Sequence, residues 1–188
     1  MRAVRDGDVG QLGVLFERYH GPVFDFLSRM TGDRLAAEDM VQDVFMRILK
    51  YRTTFRDDGS FETWLFRIAR NARADYFRQR PPVDPLGDEA LDRPEPKPGP
   101  ARRLEAVRDR ARLRRALMQL REDKRELLVL ARYRDLKYEQ IAEILDIEVG
   151  AVKVRVHRAL RELREIFLEL RDEHPCDVKT SRRTFQII

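Results

Sequence analysis

Seven of the chain's nine prolines fall in one twenty-residue stretch, PPVDPLGDEALDRPEPKPGP at 81–100. Proline fixes φ, donates no backbone hydrogen bond, and is excluded from helix interiors and central strands. No regular element runs through such a stretch. The 188-residue chain therefore divides into two halves, each with its own modest core. The stretch holds five acids against two bases and reads as an acidic, semi-extended linker over 81–101. At about 3.1 Å per residue in a polyproline conformation, it could span roughly 60 Å.

Both flanks read as helical, with apolar residues recurring at three and four. Leu12, Leu15, Phe16, Tyr19, Val23, Phe26, Leu27 and Met30 supply one or two helices, with Pro22 at the break or at the start of the second. Thr31-Gly32-Asp33 ends that run and offers an N-cap for the next. The stripe Ala37, Val41, Val44, Phe45 and Ile48 marks a helix over 34–51. A loop at 51–60 precedes a helix from about Phe61 to Phe77. Beyond the linker, helices are expected near 102–119, 121–133, 138–145 and 149–170. No alternating strand pattern occurs. The expected fold is all-α, in two small helical domains: 1–80 and 102–170, with a tail at 171–188.

Composition excludes several function classes. No stretch reaches the roughly 20 apolar residues of a membrane helix, and MRAVRDGDVGQLG does not have the form of a signal peptide. A cytoplasmic protein is expected. One cysteine, Cys176, excludes an internal disulfide framework and a multi-cysteine zinc site. His20, His157 and His174 lack metal-ligand spacing, so neither metal nor cofactor is expected. The net charge of +5 favours an acidic partner. The charge is patterned: five arginines against one acid at 67–80, and five bases against one acid at 149–164. Residues 33–50 hold four acids against three bases.

The most specific local pattern is YEQIAEILDIEVGAVKVRVHRALREL at 138–163. Two amphipathic helices flank the turn Leu145-Asp146-Ile147-Glu148. Ile141, Ala142, Leu145 and Ile147 face Val152, Val156, Leu160 and Leu163. This is the arithmetic of a helix-turn-helix, whose second helix enters the DNA major groove. On that helix Ala151, Val154, Arg158 and Arg161 point outward, with Lys153, Arg155 and His157 on the shoulders. An outward arginine can bond guanine bidentately, and Val154 can meet a thymine methyl.

In the first half, Phe61, Trp64, Leu65, Ile68, Ala72 and Tyr76 share one side of their helix. Arg67, Arg70, Arg73 and Arg78 occupy the other, with Asn71 at the margin and Phe66 and Phe77 among them. Arginines interleaved with aromatics suit single-stranded or melting DNA, where the cations hold phosphates and rings stack on bases. The bland reading makes Phe66 and Phe77 core residues, and Trp64 is read as core. The outer face of the 34–51 helix carries Asp39, Gln42, Asp43 and Met46, a surface that suits a basic partner helix.

EDMVQDVFMRI (38–48), FETWLFRIARNARADYFRQR (61–80) and the helix-turn-helix, in this order on either side of a linker, resemble a bacterial RNA polymerase sigma factor. The group resembled is the extracytoplasmic-function one, from about Val9 to Leu170. The resemblance implies that the first domain binds core RNA polymerase and the minus-10 promoter element, and that the second reads the minus-35 element. Asp39, Gln42, Asp43 and Met46 would dock on the polymerase clamp helices. The loop Tyr51–Ser60, with Arg52 and Phe55, would join Phe66, Arg67, Arg70 and Asn71 in capturing a flipped base of the minus-10 promoter DNA. Ala151, Lys153, Val154, Arg155, His157 and Arg158 would read the major groove. An anti-sigma factor is the further partner implied. Lys137, Asp146 and Glu148 stand where the family often has serine, glycine and serine. Aspartate tolerates the left-handed conformation, so the turn is expected to survive.

Two rivals are weaker. A polymerase-independent regulator of duplex DNA has no use for the Asp39–Met46 face or for aromatics among the arginines. An enzyme is not expected: Glu38, Asp39 and Asp43 lie on one helix beside no histidine and no phosphate loop, and Glu38 and Asp39 do not share a face.

Overall fold

The computed structural model describes residues 1–79, 100–132 and 136–172, with backbone alone at 100–104 and 172. The linker up to residue 99, and the tail from 173 with His174 and Cys176, lie outside the described residues. The elements are α1 (Arg2–Arg5), α2 (Leu12–Thr31), α3 (Arg34–Lys50), α4 (Phe61–Gln79), α5 (Pro100–Gln119), α6 (Glu122–Arg132), α7 (Tyr138–Leu145) and α8 (Val149–Asp172), with short 3₁₀ turns at Val9–Gln11 and Arg52–Thr54. The described residues contain no strand, so the chain is all-α as expected.

One expectation fails at Pro22. There is no break: α2 runs through it from Leu12 to Thr31. An interior proline costs about 3 kcal/mol. Val23, Phe26, Leu27 and Met30 are buried on the far side of it, each contributing roughly 1.5–3 kcal/mol. Their sum outweighs the missing hydrogen bond. Termination comes instead at Gly32, whose φ of +73° is left-handed and which therefore favours glycine. Asp33 then caps α3, its Oδ1 accepting from the Ala36 N–H at 3.1 Å.

In the first domain α3 lies between α2 and α4. Phe26, Met40, Val44, Ile48 and Leu65 fill the space between them. In the second, α5, α6 and α7 each pack on α8. Ile141, Ala142 and Ile144 of α7 meet Val152, Val156, Ala159 and Leu163 of α8. Ile144 joins this core although only its neighbours were expected there. Asp146 ends α7 at φ 55°, ψ 51°, the left-handed turn that aspartate was expected to tolerate. Lys137 offers no side-chain acceptor. The Gln140 Oε1 instead accepts from the Lys137 backbone N–H at 2.9 Å, half of a capping box.

The expectation of two separate cores needs correction. Both domains contribute to one continuous apolar cluster, with α5 and α6 against α2 and α7 against α4. A Cβ on Gly32 would sit 3.3 Å from the Met118 Sδ and Cε of α5, so close approach is a second reason for glycine. Arg125 of α6 pins the contact. Its Nη1 donates to the Met30 carbonyl at 2.8 Å, and its Nη2 to the Met118 and Leu120 carbonyls at 3.1 Å each. Met30 is in the last turn of α2, where carbonyls lack helical partners and the helix dipole favours a cation. Burial, and then the charge of Arg73, lowers the Arg125 pKa; Glu122 partly offsets them.

Candidate nucleic-acid interface

The basic face of α8 is built by the helical period alone. Val152, Val156, Ala159 and Leu163 are buried, which leaves Lys153, Val154, Arg155, His157 and Arg158 exposed, and Ala151 half-buried. Val154 keeps 50% of its surface exposed. These are the six residues expected there, on one accessible surface.

On α3, Asp39, Gln42 and Met46 are exposed and Asp43 is half-buried. All four lie on the outer face, as expected. Asp39, Gln42 and Asp43 border a shallow cleft of about 360 Å³, whose other wall is Asp75, Tyr76 and Gln79 of α4. Arg47 crosses its floor, 2.9 Å from Asp43 and 2.6 Å from Asp75. Hydrogen bonding to Arg47 holds the Asp75 carboxyl below the ordinary range. The cleft is acidic and polar, with Met46 beside it 66% exposed.

The residues expected at the minus-10 element divide. Phe66 is 2% exposed and packs edge-on against Phe26, with ring centroids 5.4 Å apart. Phe55 is 8% exposed against Phe61 and Trp64. Both are core residues in this fold, which corrects the expectation that they meet bases. For Phe66 the physical reason is that α4 buries two rows: Leu65, Ile68 and Ala72, and a second of Phe66, Ala69 and Arg73 at spacing i, i+3, i+7; for Phe55 it is that the loop folds its ring back onto Phe61 and Trp64 at the start of α4. Arg52 is half-buried and donates to the Leu49 carbonyl at 2.8 Å, closing the end of α3. Asn71 is exposed. The loop ring that is exposed is Tyr51, with Lys50 Nζ 5.2 Å from its centroid. It was named only as the first residue of the loop.

Arg67 and Arg70 are turned toward the second domain. The Arg67 Nε and Nη2 donate to the Glu143 carbonyl at 3.1 and 2.6 Å, and its Nη1 lies 3.5 Å from the Glu143 carboxylate. The Arg70 Nε meets Glu126 at 3.0 Å and its Nη1 the Ile144 carbonyl at 3.3 Å. Arg73, 7% exposed, pairs with Glu122. Sequence reasoning missed Glu122, Glu126 and Arg125 altogether. The available signal was Glu126, a carboxylate one turn before the fully buried Leu130, because acids are almost never buried unless paired.

At the loop's end, the Ser60 hydroxyl donates to Glu62 at 3.0 Å and accepts from the Gln140 amide at 2.8 Å. The Tyr19 hydroxyl donates to the other Glu62 oxygen at 2.7 Å. Burial and that bond push the Tyr19 hydroxyl up to about 12. Burial would raise the Glu62 carboxyl, but bonds from Tyr19, its own backbone N–H and Ser60 outweigh it and hold it low.

Residues 15–81 match the Sigma-70 region 2 family, and 110–163 match Sigma-70, region 4. The RNA polymerase sigma factor CarQ of Myxococcus xanthus is 33% identical over 173 residues, covering 90% of this chain and 97% of CarQ. The chain belongs to the sigma-70 family. Within it, this sigma factor is of the extracytoplasmic-function group. The ECF RNA polymerase sigma factor RpoE of Cereibacter sphaeroides is 32% identical over 167 residues, covering 88% of this chain and 91% of that one. Among solved structures, CnrH in complex with the cytosolic domain of CnrY matches at a TM-score of 0.64 and 26% identity, over 88% of this chain and 93% of that one. RpoE in complex with the anti-sigma factor NepR from Bartonella quintana matches at 0.64 and 25%, over 83% and 96%. As a sigma factor, the chain binds core RNA polymerase and directs promoter-specific initiation; it is not an enzyme. Among the described residues, no helix is long and apolar enough to cross a membrane.

Proposed function

We propose that three faces divide this work. The acidic cleft with Asp39, Gln42, Asp43 and Met46 docks on basic and apolar residues of core polymerase. The exposed face of α8 reads the minus-35 element, with Arg155 and Arg158 as guanine contacts and Lys153 on phosphate. Arg67, Arg70 and Asn71 of α4 hold the minus-10 strand, and Tyr51 supplies the exposed ring on which a base stacks. The boundaries 1–80 and 102–170 follow this division, with the acidic linker between them and the tail after 170. The observation that carries the reading is the contrast of surfaces: α3 presents acid beside an exposed methionine, while α8 presents base on the opposite side from its core. We also propose a cytoplasmic location and control by an anti-sigma protein, since the similar RpoE of Bartonella quintana is seen in complex with the anti-sigma factor NepR, and CnrH with the cytosolic domain of CnrY.

The docking face is tested by Asp43→Lys. Arg47 keeps Asp75 as its partner, so the fold is expected to hold. Affinity for core polymerase should fall about tenfold or more, as when a like charge faces a partner, while duplex binding by the full chain stays unchanged. Unchanged polymerase affinity would remove the assignment.

A further inference from the structure

We propose that α1 is a clamp on the minus-10 loop: Arg2 and Arg5 grip Asp57 and hold residues 51–60 in the pose that presents Tyr51 to a single-stranded base. The proposal rests on the assignment of Tyr51 and α4 to the minus-10 strand made above. It adds a positioning role for three residues that do not themselves touch DNA.

The grip is geometric. Arg2 and Arg5 stand three apart in α1 and so share a face. The Arg2 Nε and the Arg5 Nη1 converge on one oxygen of Asp57, Oδ1, at 3.0 and 2.9 Å. The Arg2 Nη2 also donates to the Asp57 carbonyl at 3.4 Å. Side chain and main chain of the loop are therefore held together. The hydrogen bond from Arg5 keeps the Asp57 carboxyl below the ordinary range, with Arg2 adding to the effect.

The loop is built to offer that carboxylate. Residues 56–59 form a turn in which the Gly59 N–H donates to the Arg56 carbonyl at 3.3 Å, with Asp57 at its first central position and Gly59 at its last. On one side of this turn, the Thr54 hydroxyl donates to the Tyr51 carbonyl at 2.7 Å. On the other, Ser60 caps α4, its hydroxyl accepting from the Thr63 N–H at 3.4 Å. The two ends of the loop are tied to their own helices. The middle is tied to α1.

The clamp is itself anchored. A helix of four residues does not hold itself together in water. Val4 is fully buried, and Met1 packs on the main apolar cluster. Gly7, at φ +112°, a conformation that favours glycine, lets the chain leave α1 and turn into α2. Against this anchor α1 packs on the Arg52–Thr54 turn, directly after Tyr51. Exposed ion pairs add little stability. What two converging guanidiniums on a seated helix supply is position.

The test uses holoenzyme assembled from core bacterial RNA polymerase and the full-length chain, transcribing a promoter pool randomised in both elements. Three clamp variants are compared: Asp57→Ala, Arg2→Ala with Arg5→Ala, and all three together. Each should lose discrimination at the captured minus-10 base about tenfold, the scale of one displaced stacking contact. The triple variant should lose no more than either part, because residues acting through one contact are not additive. Minus-35 preference, core affinity and melting temperature should stay unchanged. Tyr51→Ala, run alongside, reads the base site itself. Loss in Tyr51→Ala with full discrimination in Asp57→Ala would overturn the clamp and leave the base-site assignment standing. No loss in Tyr51→Ala would overturn that assignment and the clamp with it. Loss in the arginine pair alone, or an additive triple variant, would mean that Arg2 and Arg5 meet DNA directly, and would overturn the positioning role. Activity falling evenly across the pool together with melting temperature would reduce α1 to a structural part and overturn it as well.

Discussion

Helices α4 and α8 carry similar basic runs and meet opposite fates. On α8 a single buried row, Val152, Val156, Ala159 and Leu163, is flanked by half-buried Ala151 and Leu160 and leaves the opposite face to water. Its Lys153, Arg155 and Arg158 stand exposed. On α4 two rows are buried, and the second of them includes Arg73 itself. Its arginines meet carboxylates and helix-end carbonyls of the other domain. A basic stripe is therefore not yet a binding surface. What decides is whether the fold offers those cations an internal set of anions first.

The contrast breaks most sharply at Phe66. If its ring is core, Phe66→Ala should cost about 3–5 kcal/mol, as large-to-small changes at buried aromatics do, and thermal unfolding should show it directly. A variant of normal stability that bound minus-10 strands poorly would return Phe66 to the DNA side of the helix and undo the comparison.

A smaller effect separates the two arginine sets. Arg158→Ala should leave the melting temperature unchanged and lose about 1–3 kcal/mol of discrimination at one base position, read by transcription from a promoter library. Arg70→Ala should instead lower the melting temperature of the free chain, because it leaves Glu126 buried and unpaired. Equal thermal behaviour of the two variants would mean that the closed contact contributes nothing to the fold.

The smallest effect sharpens the closed side alone. The Tyr19 hydroxyl is pushed up from 10.0 to about 12. The folded state thus holds its proton more tightly than the unfolded one. That contribution is complete below pH 10 and is lost as pH rises toward 12. Denaturant unfolding between those values should show stability falling in the unmodified protein. In Tyr19→Phe this component of the slope should be absent.

Local sequence determined much of this molecule. Helices α3 to α8, the Asp33 cap, the left-handed Asp146 and the exposed face of α8 follow from the local sequence, since a helix with one apolar stripe has one way to face its core. The outer face of α3 was legible for the same reason. Three things were not. Pro22 lies inside α2 because tertiary burial outweighs a local penalty. The inward turn of Phe66 was open, because a helix with apolar residues among its arginines has more than one possible buried face, and that of Phe55 was not foreseen, because a loop has no period to assign its ring a side. The docking of α6 and α7 onto α4 was invisible. Pairing Arg70 with Glu126 and Arg73 with Glu122 joins residues 56 and 49 positions apart, and no local period records such a partner. Helical phase is a property of neighbours in the chain. Which charges find each other across a proline-rich linker depends on how the two halves fit, and only the tertiary structure decided that.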